Sequence, residues 1–185
     1  FRHFIDSLAI TNYATIEPNS KVIDVGTGAG FPGIPLAIYT NCQIFLVDSL
    51  KKRLDFLNIV ITQLNLNNVQ CVHSRFEDLA HNSVFRENFD YAICRAVAPL
   101  NVLLEYTLPF LSNNGLLLAH KGSMLEDEIA LSKKALTIFN GDIVDKHEYL
   151  DDKLITRYVI VIKKTHTISK KYPRKPGTPK SSPIT

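Results

Sequence analysis

Cysteine is scarce in this chain, and the three present, Cys42, Cys71 and Cys94, are scattered, each inside an apolar run. None belongs to a CxxC pair, which argues against a disulfide framework and points to buried thiols in a cytoplasmic protein. No cluster of His and Cys has zinc-ligand spacing, so no metal is expected. No run approaches the length of uninterrupted apolar sequence that a membrane span needs, and no charged start followed by an apolar stretch marks a signal peptide. The chain opens on Phe1 rather than Met, so a natural N-terminus further upstream is expected.

What is present suits one domain. The 185 residues are 45% hydrophobic and 21% charged, enough for a sizeable core and ordinary for a soluble globular protein. The net charge of +3 conceals an asymmetry, because Lys163 onward carries seven basic residues and no acidic one. The preceding portion is therefore net acidic, and a polyanionic partner meets the tail first.

Short apolar runs at Lys21–Val25, Gln43–Val47, Val69–His73, Asp90–Cys94 and Leu116–Ala119 read as strands. Helical patterns alternate with them: about Leu50 to Leu64, with Leu50, Leu54, Leu57, Ile61 and Leu64 on one face, then Asn101–Leu111 and Glu126–Phe139. Alternating strands and helices imply right-handed crossovers and a parallel sheet covered on both faces. Ile143–Leu150 and Arg157–Lys163 are expected to add a terminal antiparallel pair, turning at Asp151-Asp152-Lys153. The expected fold is α/β and Rossmann-like, a mostly parallel seven-stranded sheet with helices on both faces. Residues 1–20 read as the end of an N-terminal helical segment and 21–165 as the main domain. Residues 166–185, with four prolines and little apolar material, read as an extended basic arm rather than a packed element.

The densest chemistry lies in Val22-Ile23-Asp24-Val25-Gly26-Thr27-Gly28-Ala29-Gly30-Phe31-Pro32-Gly33. A strand running into a glycine turn, followed one βαβ unit later by Asp48, suits a nucleoside cofactor across the carboxyl ends of parallel strands. Two registers compete. Gly28, Gly30 and Gly33 match the GxGxxG of dinucleotide enzymes, whereas Asp24 with Gly26, Gly28 and Gly30 matches the turn of S-adenosylmethionine enzymes. Asp24 would repel a pyrophosphate but can serve an ammonium or a bound water, which favours adenosylmethionine. Asp48 is then the acceptor for the ribose hydroxyls, with Ser49 capping the following helix. At the end of the third strand, Phe76 is expected beside the adenine, with Glu77 or Asp78 facing its polar edge. Arg95 closes the fourth strand, where substrate must enter.

These residues resemble one family. Arg2-His3-Phe4-x-Asp6-Ser7-Leu8, the Asp24–Gly33 segment, Asp48-Ser49-Leu50-x-Lys52-Arg53, Arg95-Ala96-Val97-Ala98, Lys121-Gly122 and Tyr172-Pro173-Arg174-Lys175-Pro176-Gly177 carry the likeness. The chain resembles the bacterial small-subunit ribosomal RNA guanine-N7 methyltransferases, the RsmG or glucose-inhibited division protein B family, along nearly its whole length. The resemblance implies a class I methyltransferase that moves a methyl group from S-adenosylmethionine to N7 of a guanine in 16S ribosomal RNA near the decoding centre. It implies cofactor contacts at Gly26, Phe31, Phe76, Glu77 and Arg95, and a basic RNA surface at Arg2, His3, Arg53, Lys121, Arg174 and Lys175. An additional N-terminal helical segment, usual in the family, is absent from this sequence.

Guanine N7 carries a free lone pair and needs no proton removed. The lack of a Cys or His catalytic pair, and of an Asn/Asp-Pro-Pro-Tyr motif, is consistent with such chemistry, in which alignment matters most. Arg95 and Lys121 are the expected holders of guanine O6 or a nearby phosphate. His3 and His120 read as pocket-mouth, core or surface residues. In the tail, Lys170, Lys171, Arg174 and Lys175 are expected to contact phosphates and Tyr172 to stack on a base. A dinucleotide-dependent oxidoreductase and a non-catalytic RNA-binding module remain the competing readings. A monomer acting on 16S RNA within the small ribosomal subunit or its precursor, with no membrane contact, is expected.

Overall fold

The computed structural model describes residues 2–151 and 153–185, with the backbone alone at Arg2. Seven strands form one sheet: β1 (Lys21–Val25), β2 (Gln43–Asp48), β3 (Val69–His73), β4 (Phe89–Arg95), β5 (Leu111–Lys121), β6 (Gly141–Leu150) and β7 (Thr156–Lys164). Their order is β3-β2-β1-β4-β5-β7-β6; the first five are parallel and β7 is antiparallel to both its neighbours. The expected α/β sheet with a terminal antiparallel pair is therefore present. Asp152, one of the three residues expected at the β6–β7 turn, lies outside the described residues. Asp151 is buried there and accepts the amides of Lys153 and Ile155 and the Arg157 Nε–H.

The helical elements are α1 (Arg2–Leu8), α2 (Gly33–Tyr39), α3 (Lys51–Gln63), α4 (Phe76–Leu79), α5 (Leu100–Thr107), α6 (Leu125–Leu131), α7 (Lys133–Ile138) and α8 (Thr178–Ser181). Side chains alternate across each strand, and this sorts β1 between two cores. Val22 faces Ile10, Ile34, Leu36, Leu54 and Leu57 on one side, while Ile23 faces Leu103, Leu104 and Phe89 on the other.

Three helical expectations change. On α3 only Leu54 and Leu57 are buried, while Leu50 precedes the helix and, like Leu64, is about half exposed. The sheet accepts a narrower stripe than the pattern offered. The helix expected over Asn101–Leu111 stops at Thr107, passes through a 3₁₀ turn at Leu108–Phe110 that includes Pro109, and becomes β5 at Leu111. The run Glu126–Phe139 is divided at Ser132, whose hydroxyl donates to the Glu128 carbonyl.

The C-terminal segment is not a free arm. Ile168 is buried in the α5-side core, and the Arg86 guanidinium donates to the carbonyls of Ile168 and Tyr172. Composition concealed this because the packing rests on a few isolated side chains and on backbone carbonyls rather than on a periodic apolar face.

Candidate active site

In an open parallel sheet the ligand crevice lies outside the carboxyl ends of the strands, where the winding reverses. Here that point falls between β1 and β4. The register sets Asp24 beside Ile93, Val25 beside Val47, Asp48 beside His73 and Arg95 beside His120. Parallel pairing alone thus carries the glycine turn, Asp48, Phe76 and Arg95 to one edge.

The turn is tied to its neighbours by backbone bonds. Gly26 and Thr27 donate to the Val47 carbonyl at 3.0 and 3.1 Å, and Gly30 donates to Thr27. Gly26, Gly28 and Gly30 have φ of 78°, 60° and 93°, the left-handed region that costs a side chain most. Gly33 is different: it starts α2, and a Cβ there would lie 2.3 Å from Leu46 and 2.7 Å from Asp24 Oδ2. The three turn glycines are those of the register that begins with Asp24.

Asp24 is fully buried. Its Oδ2 accepts the Thr27 hydroxyl at 2.7 Å and the Gly33 amide at 2.9 Å, so it binds the turn to the start of α2. Oδ1 is buried with no partner among the described residues. Burial lifts the carboxyl from its ordinary 3.8 to about 7, against the lowering effect of the two hydrogen bonds.

Asp48 is also buried, and it is busier than expected. It accepts the Gly28 amide (3.1 Å), the Leu50 amide (2.9 Å) and the Arg53 guanidinium (3.1 Å). Ser49 does not cap α3; Asp48 secures its approach instead, because its side chain reaches the Leu50 amide two residues ahead. Three of roughly four acceptor positions are thereby filled, leaving about one for a ribose hydroxyl.

Arg95 joins the turn to the amino-terminal helix. Its guanidinium lies 5.3 Å from the Phe31 ring centroid, 3.4 Å from the His3 carbonyl and 4.0 Å from Asp6 Oδ2. Phe31 is further packed by His3 and Phe4, with centroids 5.6 and 5.1 Å away. The following Ala96 has φ of 56°, an uncommon conformation for a residue with a Cβ, and it re-aims the chain after β4.

Two cavities flank this centre. One, of about 430 Å³, is lined by Arg95, Ala96, His120, Lys121, Gly122, Tyr149 and Arg157, with His3 and Asp6 at its α1 side. His120 Nδ1 is 3.2 Å from the Tyr149 hydroxyl, and burial lowers the imidazole to about 4, so the ring is neutral at pH 7. The other, of about 600 Å³, is lined by Ser49, Arg75, Phe76, Glu77, Val97 and Tyr106, and by Gly177, Lys180 and Ser181. Gly26 abuts it: a Cβ on this glycine would meet Val97 at 2.9 Å and Phe76 at 3.5 Å. Glu77 is buried and accepts the Gly177 amide at 2.9 Å.

Several residues expected on a basic surface stand elsewhere. Lys121 is buried, ion-paired with Glu128, and donates to the Ala98 carbonyl at 2.9 Å. Arg174 holds buried Glu105 through its backbone amide, Nε and Nη2, so its charge is neutralised internally. Tyr172 packs edge-on against Phe139 at 5.1 Å, because the folded-back tail turns the ring toward the core. Lys170, Lys171 and Lys175 are exposed, Arg53 is half exposed with its guanidinium on Asp48, and His3 is exposed beside Phe31. The Arg2 side chain lies outside the described residues. Tyr149, Arg157 and Glu128 were missed, since only the antiparallel pairing of β6 and β7 and the fold-back of α6 bring them to this edge.

The glycine turn, the switch point and the strand order define a class I S-adenosylmethionine-dependent methyltransferase. The fold agrees with solved structures: M. jannaschii TYW2 in complex with AdoMet superposes with a TM-score of 0.69 at 20% identity, over 90% of this chain and 76% of that one. TrmN from Thermus thermophilus gives 0.67 at 18% identity, over 87% and 48%. The family model GidB, rRNA small subunit methyltransferase G, matches residues 1–167. Proteins named ribosomal RNA small subunit methyltransferase G from Alkaliphilus metalliredigens and Desulfitobacterium hafniense are 45% and 47% identical over 99% of this chain, covering 77% and 76% of their own lengths. The chain belongs to the rRNA small subunit methyltransferase G family, and it is a methyltransferase that uses S-adenosylmethionine. The residues fit that cofactor: the side-chain-free turn at Gly26 opens on Phe76 and Val97, and Asp24 Oδ1, without a partner among the described residues, lies buried at the start of the turn.

Proposed function

We propose that the protein methylates N7 of a guanine in 16S ribosomal RNA near the decoding centre, as a monomer in the cytoplasm. Residues 21–165 form the methyltransferase unit in this reading, flanked by the helical 1–20 and the basic 166–185. One observation carries the choice of chemistry. Arg95 stands between the glycine turn and a cavity whose neighbouring carboxylates, Asp6 and Glu128, are each engaged by a cation. That arrangement suits a nucleophile needing no general base, and guanine N7 is one.

S-adenosylmethionine supplies the methyl group when bound. Gly26, Gly28, Gly30 and Asp24 would hold its amino-acid end, the one remaining acceptor position of Asp48 its ribose, and Phe76 with Glu77 its adenine. Arg95 would donate to guanine O6, leaving N7 open and fixing the base plane against Phe31. His120 adds no charge beside a base that becomes cationic, since its ring is neutral. Lys121 acts on position rather than on the base, through Ala98 and Glu128.

Small ribosomal subunits incubated with the protein and the cofactor, then digested to nucleosides and oligonucleotides for mass analysis, test this. One 7-methylguanosine near the decoding centre is expected. Methylation at another atom or in another RNA would overturn the reading.

A further inference from the structure

The larger cavity has two kinds of wall. Phe76, Glu77, Val97 and Tyr106 come from the Rossmann-like sheet and its helices, whereas Gly177, Lys180 and Ser181 come from the C-terminal segment. We propose that residues 177–181 form the outer wall of the nucleoside pocket, held there by Arg174 and Glu105 as positioning residues. This rests on the reading of Phe76 and Glu77 as the adenine side of the cofactor site.

The wall is built rather than casual. Arg174 grips Glu105 through Nε at 3.0 Å and Nη2 at 2.7 Å, and its Nη1 donates to the Ser182 carbonyl at 2.9 Å. Arg174 thereby ties the chain ahead of the 177–181 stretch to α5 and reaches across to hold its far end at Ser182. A forked guanidinium–carboxylate contact resists rotation as well as separation. Gly177 then donates to Glu77 Oε1, while Oε2 takes no hydrogen bond from the described residues and remains for a nucleoside donor.

The same short segment carries both partners of this coupling. Phe76 and Glu77 begin it, and His81 and Arg86 follow, holding the carbonyls of Pro173 at 2.8 Å and Tyr172 at 2.9 Å. Ordering the adenine side therefore orders the tail, and an adenosine in the pocket buries the inner face of the 177–181 wall. Arg174 belongs to this wall, while Lys170, Lys171 and Lys175 on the outer side are left for RNA.

Two measurements on the full chain decide the matter, both with S-adenosylhomocysteine as probe. Ser181 is exposed, so Ser181→Trp leaves the core intact and fills the cavity. Calorimetry is expected to show affinity lowered by about tenfold or more with an unchanged unfolding midpoint. In the wild type, the probe is expected to slow trypsin cleavage after Lys180 by about fivefold or more, because it binds only the closed wall. If the wild type binds no probe, the cofactor reading falls and the wall with it. If the wild type binds but Ser181→Trp binds equally well, or cleavage after Lys180 ignores the probe, the wall alone falls.

Discussion

Lys121 and Glu128 form a shielded ion pair beside the cavity lined by Arg95 and His120, with side chains 6% and 24% exposed. Each also holds the chain after Arg95: Lys121 donates to the Ala98 carbonyl, and Glu128 accepts the Leu100 amide at 2.7 Å. The pair therefore fixes the path of the segment that begins with Arg95 and the left-handed Ala96.

Removing Glu128 should be the costlier half of that pair. Glu128→Ala leaves a buried ammonium with the Ala98 carbonyl, and a loss of about 3–5 kcal/mol is expected in urea unfolding. Lys121→Met should cost less, since Glu128 is partly solvated and keeps Leu100. A double-mutant cycle should return a coupling of about 1 kcal/mol or more; simple additivity would show that the two do not act together.

Asp24 makes stability depend on pH. Its folded-state value, about 7 against an ordinary 3.8, means that the folded protein holds a proton the unfolded chain gives up. The contribution is complete below about pH 4 and is lost as pH rises through about 7, a total of a few kcal/mol. Asp24→Asn keeps an acceptor for Thr27 and Gly33, so its unfolding midpoint should vary less than the wild type's between about pH 5 and about pH 8. Parallel profiles for the two proteins would rule out a raised Asp24.

Gly26→Ala combines backbone strain with a methyl 2.9 Å from Val97. The strain alone is about 1–2 kcal/mol. Binding of S-adenosylhomocysteine, read by calorimetry, should weaken by about tenfold or more, more than thermal stability suffers. Gly33→Ala should do the reverse, lowering stability most, because its methyl would strike Leu46 and Asp24 in the core. Equal effects of the two substitutions on binding would contradict the assignment of the turn.

The exposed tail lysines should govern RNA affinity without touching the cofactor. Replacing Lys170, Lys171 and Lys175 by alanine should reduce the slope of log affinity against log salt by about 2–3, at roughly 0.7–0.9 per phosphate contact. S-adenosylhomocysteine affinity should stay at the wild-type level. An unchanged slope in a salt-titrated binding assay would remove these lysines from the RNA surface.

The parts legible beforehand were those written locally. The short apolar run at Lys21–Val25, the glycine turn and the acidic residue at the end of β2 each state their structure within a few residues, and β1–β5 followed. The roles that depend on side-chain partners were less legible. Asp48 looked available because Ser49 looked like a cap, yet it is the Asp48 carboxylate that accepts the Leu50 amide. Arg174 and Tyr172 looked like RNA contacts because nothing in the tail signals that Glu105 and Phe139 await them.

By itself the sequence determined the strand-turn-helix units, the glycine register starting at Asp24 and the excess of positive charge from Lys163 onward. Those are properties of short windows: side-chain period, glycine backbone freedom and net charge. Tertiary structure decided which charges are spent inside. Lys121 and Arg174 lie far in sequence from the groups that place them, Ala98 and Glu105, and only parallel pairing and a folded-back tail bring them together. A buried cation must find a carboxylate or carbonyl, and that search is settled by the whole fold.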